Sequence, residues 1–183
     1  IGEMRNMQIP VYVYKTPTTV EEAKATIHEI AGLLHASDES LIASMDADLK
    51  TVEDLASKHT GPRPVVAFYS QFGLNGGKGS TFDDMCKYMK VTNAAAELGL
   101  GAYDNGTRED LIRMNPDVII IPSASYTSDG YKPASADQLY SDPALQGVKA
   151  IANHRVFLVD SAQIMSYSQF MTLAMVSMTQ YIY

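Results

Sequence analysis

The chain is 183 residues long, with a formal net charge of −7, eleven tyrosines, no tryptophan and a single cysteine, Cys86. This length holds one good-sized domain, or one domain and part of another, and the acidic balance with only isolated Lys/Arg pairs excludes a phosphate-backbone or anionic-membrane surface. The lone cysteine excludes an internal disulfide and a cysteine-rich metal site, and no stretch reaches the ~20 apolar residues of a spanning helix, residues 170–183 being interrupted by Thr172, Ser177, Thr179 and Gln180.

The first seven residues have neither the basic nor the apolar region of an export signal. Ile9 to Tyr14 is a strand-like run with no partner upstream, so a chain trimmed from something longer is expected. Thr19 followed by Glu22 forms a capping box, and Val20, Ala23, Ile27, Ile30 and Leu34 repeat at helical spacing to His35. A second helix restarts at Ser37-Asp38-Glu39 and carries Leu41, Met45, Val52 and Leu55 to Lys58. Gly61-Pro62-Arg63-Pro64 breaks it, and Val65 to Tyr69 reads as a strand.

Gly73 to Gly79 is a glycine-rich loop, Ser80 or Thr81 caps a helix holding Met85, Cys86, Tyr88 and Met89, and Ala94 to Leu98 is helical again. Thr107 to Met114 is a polar-capped helix running into Asn115-Pro116, where proline denies the preceding residue a right-handed helical backbone. Val118 to Ile121 follows at once, an apolar run without alternation, as suits a strand covered on both faces. A polar loop from Ser123 to Ser135, a short helix from Asp142-Pro143 to Ile151, a strand Arg155 to Val159 and an uncapped terminal helix complete the chain. Strands starting near 65, 118 and 155 with helices between them give the βαβ rhythm of a parallel sheet.

The glycine loop fails as a phosphate loop, because Gly77-Lys78 is followed by Gly79 and the earlier position is Phe72, and it fails the dinucleotide fingerprint by glycine order. It reads either as a surface loop or as a loop shaping a ligand cleft, with Lys78 placed to meet an anionic group. Four histidines, His28, His35, His59 and His154, fall on separate elements without metal-ligand spacing, so no metal site is expected. Cys86 reads as a small core residue, and no nucleophile elbow or paired carboxylates announce an enzyme. In a parallel sheet the ends of the strands share one edge, where α/β proteins bind ligands. Tyr69, Tyr126, Tyr131 and Tyr167 follow those ends, and their rings and hydroxyls suit a bulky amphipathic ligand.

Six segments carry a resemblance: Arg63-Pro-Val-Val-Ala-Phe-Tyr-Ser70, Gly77-Lys-Gly-Ser-Thr-Phe-Asp-Asp-Met85, Val91-Thr-Asn-Ala-Ala95, Thr107-Arg-Glu-Asp-Leu-Ile112, Asn115-Pro-Asp-Val-Ile-Ile-Ile-Pro-Ser123 and Asp142-Pro-Ala-Leu-Gln-Gly-Val148 on to Val156. In this order they resemble the ABC-transporter solute-binding proteins for ferric siderophores, haem and cobalamin, over nearly the whole chain. The resemblance implies an α/β fold: a Rossmann-like three-layer lobe with a mostly parallel sheet, preceded by a long connector helix. Residues 1–36 would be a remnant of an N-terminal lobe, 37–58 the interlobe connector and 59–183 the C-terminal ligand-binding lobe.

It further implies an extracytoplasmic protein, periplasmic or a cell-surface lipoprotein, that captures an iron chelate, haem or corrinoid and hands it to an ABC permease in the membrane. No cofactor of its own, no catalysis, no nucleic-acid partner and no membrane span are expected. The residues expected to line this lobe's half of the cleft are Tyr69, Phe72, Lys78, Tyr126, Tyr131 and Tyr167, and Glu109 matches the acidic residue that docks on the permease. An acid in a first helical turn is equally favoured by the helix dipole alone. The alternatives are a ligand-sensing or scaffold domain of the same fold, and a nucleotide- or metal-cluster-binding α/β enzyme, which would need a phosphate loop or clustered ligands.

Overall fold

The structure, a computed structural model, describes residues 2–128 and 130–183, without the side chains of Tyr126 and Thr127. Three helices come first: α1 (Gly2–Asn6), α2 (Val20–Leu33) and α3 (Glu39–Ala56). Strands β1 (Val65–Ser70) and β2 (Gly73–Asn75) precede α4 (Thr81–Tyr88), β3 (Thr92–Asn93), α5 (Ala94–Glu97) and α6 (Arg108–Met114). Then come β4 (Val118–Pro122), a hairpin of β5 (Ala124–Thr127) and β6 (Gly130–Pro133), α7 (Asp137–Ser141), a 3-10 turn (Pro143–Leu145) and α8 (Lys149–Ala152). The chain closes with β7 (Val156–Val159), α9 (Ser161–Ile164) and α10 (Phe170–Ile182).

The sheet is built around β1. On one edge β1 pairs in parallel with β4, which pairs in parallel with β7; the other edge takes β3 in parallel at its start and β2 antiparallel at its end. The fold is thus α/β with a mostly parallel sheet between two helical layers. Successive strand side chains point to opposite faces, so β4 serves two cores. Val118 and Ile120 join Val66, Phe82, Met85, Met171 and Met175 under α2, α3, α4 and α10. Ile119 and Ile121 join Ala67, Ala95, Leu111, Val148 and Ile151 under α5, α6 and α8. Burial on both faces is why the apolar run needs no polar alternation.

Helix α3 is one unbroken rod of 18 residues, about 27 Å long. It packs along α10, where the Thr172 hydroxyl donates to Asp48 Oδ2 at 2.7 Å. Val20 and Ala23 of α2 are buried in the same core, and Val20 N donates to Asp84 Oδ2 at 3.0 Å, so α4 helps to cap α2.

Several expectations are corrected. Ile9 to Tyr14 pairs with no strand among the described residues; its β-branched and aromatic composition favours extended backbone, but a strand exists only against a partner. Thr19 caps α2 by accepting from Glu22 N, yet the Glu22 carboxylate reaches past Thr19 to Thr18 N and its hydroxyl. The reciprocal capping box sits instead on α6, between Thr107 and Asp110. Asn115 escapes the proline restriction by turning left-handed, at φ 47°, a region that asparagine tolerates. The loop expected after β4 folds into the β5–β6 hairpin, and the end of α10 is capped by Arg155, which donates to the carbonyls of Tyr181 and Ile182.

Candidate ligand-binding cleft

The carboxyl ends of β1, β4 and β7 open on one rim, beside the point where the chain switches from adding strands on one side of β1 to the other. Such a switch leaves a crevice, because the loops leave in opposite directions. Here the crevice is a cleft of about 650 Å³. Its floor is the stacked pair Phe68 and Phe82, with ring centroids 5.2 Å apart, together with Pro122, Ala124 and Ile164. Phe72, Tyr103, Tyr131, Met165 and Tyr167 stand around it, all more than half exposed. Ser70, Gln71, Asn75, Asn105, Ser125 and Ser161 add hydroxyls and carboxamides.

The glycine-rich wall is braced rather than loose. Lys78 N donates to Leu100 O at 2.7 Å, Gly79 N to Asp83 Oδ2, and Asn93 Nδ2 to both Gly76 O and Asp83 Oδ1. A Cβ on Gly77 would stand 2.2 Å from Leu100 O and 2.5 Å from Gly101 O, so glycine is what lets these two backbones touch. On the other wall the root of the β5–β6 hairpin is tied to α9. Ser161 Oγ accepts from Ala124 N and donates to Ala124 O, and Ser161 N donates to Ser123 Oγ. Deeper in, Asn75 Nδ2 donates to Ser70 Oγ at 2.6 Å, while Asn75 Oδ1 is buried without a partner among the described residues.

A hollow of similar size between α2 and α3 is lined by Glu21, Lys24, His28, Asp38 and Asp46. Lys24 there pairs with Asp46 and Glu21, and His28 Nδ1 lies 3.0 Å from Asp38 Oδ2, so most of the hollow's polar groups already have partners within the protein. Among the described residues no three His, Cys, Asp or Glu side chains gather to hold a metal ion.

The model of the family described as periplasmic binding protein matches residues 3–163. The chain belongs to that family. It is similar in fold to a periplasmic haem-binding protein from Roseiflexus sp. RS-1 (TM-score 0.83, 23% identity, 100% of this chain and 70% of that one). It is also similar to a possible iron-binding periplasmic solute-binding protein from Staphylococcus epidermidis (TM-score 0.81, 16% identity, 100% and 69%) and to the periplasmic haem-binding protein HutB of Vibrio cholerae (TM-score 0.77, 19% identity, 100% and 71%). No curated protein matches the chain.

In this periplasmic binding protein the cleft gathers Phe72, Tyr131 and Tyr167 from the residues the sequence nominated. The Tyr126 side chain lies outside the described residues; its Cα is paired with that of Tyr131 across the hairpin. Two nominated residues stand elsewhere. Tyr69 is one register step from Ser70 and so turns to the opposite face, half-buried beside the Arg108–Asp142 ion pair, where burial raises its phenol pKa. Lys78 is exposed, and its backbone rather than its side chain serves the wall. Glu109 is exposed on the first turn of α6.

Sequence reasoning missed Phe68, Ser70, Asn75, Tyr103, Ser161 and Met165. The first two follow from strand parity once Val66 is known to be inward. Tyr103, 92% exposed between Gly101 and Gly106, carries no signal beyond its glycine neighbours.

Proposed function

We propose that this chain is the extracytoplasmic substrate-binding component of an ABC importer, taking a ferric siderophore, haem or cobalamin-type chelate and presenting it to a membrane permease, as a periplasmic or lipid-anchored protein. The observation that carries the reading is the aromatic and hydroxyl-lined cleft at the common rim of β1, β4 and β7. Flat rings with polar tips bury the apolar faces of a large chelate while hydroxyls and carboxamides fix its orientation. Periplasmic binding proteins are solute carriers, and structural neighbours named for haem and for ferric hydroxamate support the cargo class.

Phe72, Tyr131 and Tyr167, with Tyr126 opposite Tyr131 in the hairpin register, are the proposed ligand contacts of this lobe, joined by Tyr103 and Met165. Helix α3 is the proposed connector, and residues 1–36 the proposed share of the second lobe, resting on this one through Val20 and Ala23. Glu109 is the proposed permease contact. A screen of the full-length protein against haem, cobalamin and ferric siderophores, read by tyrosine fluorescence, tests the function: saturable quenching by at least one ligand is expected, and quenching by none overturns it. Glu109→Arg is expected to abolish uptake while leaving ligand affinity unchanged, and undiminished uptake removes the docking role.

A further inference from the structure

The side chains around the cleft share one property that its shape does not require. Among the described residues lining it there is no lysine, arginine, histidine, aspartate or glutamate; every polar group is a hydroxyl or a carboxamide. The two lysines nearest in sequence, Lys78 and Lys132, are not among them. Two carboxylates brace the glycine-rich wall from behind: Asp83 accepts from Gly79 N and is itself paired with Lys87, and Asp104 accepts from Gly101 N. The whole chain carries a formal −7.

An anion entering such a cleft gives up its hydration and meets no counter-charge, and the approach is uphill in the field of an acidic protein. Neutral carbonyl, hydroxyl and amide groups lose far less, because the serine, asparagine and glutamine side chains replace the water they surrender. Iron offered bare would also find no cluster of His, Cys, Asp or Glu among the described residues, so the metal has to arrive already wrapped by its own donors.

We infer that the cargo carries no net charge: this lobe selects a neutral metal chelate over an anionic one of similar size. The inference rests on the cleft being the cargo site, as proposed above, and narrows the cargo within it.

Four chelates titrated into the full-length protein, with tyrosine fluorescence as the readout, decide the matter. Two are neutral, a ferric trihydroxamate and cyanocobalamin; two are anionic, a ferric tricatecholate and haem with its carboxylates. The tightest ligand is expected from the neutral pair, by at least about tenfold over either anion, with an affinity that moves less than about twofold as salt is raised. Gln71→Arg, which puts a cation on the exposed rim, is expected to tighten the anionic pair several-fold and leave the neutral pair within about twofold. A tightest ligand drawn from the anionic pair overturns the inference while sparing the transport reading. Binding of none of the four overturns the transport reading itself, and this inference with it.

Discussion

The two faces of the central sheet grow from the same strands yet are filled differently. The face under α2, α3, α4 and α10 buries six methionines, Met45, Met85, Met89, Met171, Met175 and Met178. The opposite cluster buries none, and packs Ala67, Ala94, Ala95 and Ala150 among leucine, isoleucine and valine. Small residues let the short helices α5 and α8 lie close to the strands and seal that side. Unbranched thioethers fill irregular space and adapt to changes beside them, and they sit on the side that opens into the cleft. A strand position one step further along therefore changes its surroundings: Ser70 faces the open cleft, and Tyr69 faces a closed wall.

The strongest way to break this contrast is a pair of truncations. Ile119 and Ile120 are both fully buried neighbours on opposite faces. Each alanine variant is expected to cost about 2–5 kcal/mol in chemical denaturation, and Ile119→Ala roughly 1 kcal/mol more than Ile120→Ala, because flexible methionines relax into a cavity better than alanines do. Equal losses would erase the distinction between the two cores.

The cleft wall is the next test. Gly77→Ala forces a methyl onto two carbonyl oxygens, so a loss of about 1–3 kcal/mol is expected in a thermal melt, with weaker ligand binding alongside as the braced loop shifts. A melt within experimental error of the parent would mean that the wall is softer than its hydrogen bonds suggest.

Parity can then be read directly from binding. Tyr131→Ala is expected to weaken the best chelate at least about tenfold, whereas Tyr69→Ala leaves its affinity within about twofold. A loss at Tyr69 comparable to that at Tyr131 would place ligand on both faces.

The smallest effect concerns acid. The Glu22 carboxyl is lowered from 4.5 to about 2, chiefly by the Lys15 ammonium and then by hydrogen bonds from Thr18. A depressed carboxyl stabilises the fold above its unfolded value and loses that contribution as pH falls through the folded one. The melting-temperature gap between the parent and Glu22→Gln should therefore be full above pH 4.5 and close as pH falls through about 2. A gap independent of pH would detach the effect from ionisation.

Much of the scaffold was legible in the chain itself. Unalternating apolar runs marked β1 and β4, caps at Thr19, Ser80 and Thr107 marked three helix starts, and the stripe on α3 gave its full length. What escaped depended on partners. Composition alone makes Ile9 to Tyr14 a strand, but pairing needs a second chain segment. The β5–β6 hairpin did leave a trace, the Asp129-Gly130 dipeptide between two tyrosine-bearing runs, which read as polar loop because its strands are only four residues each. Of the nominated side chains, Phe72, Tyr131 and Tyr167 stand around the cleft, whereas Tyr69 lies on the opposite face, because chemistry alone does not reveal a residue's place in a strand's alternation.

The clasp between Thr172 and Asp48, with α10 lying against α3, has a mechanical consequence. A rod fastened sideways to the body it leaves cannot act as its own pivot. Glu39–Ala56 and the sheet travel as one piece, so a hinge in this chain has to lie beyond the ends of that rod.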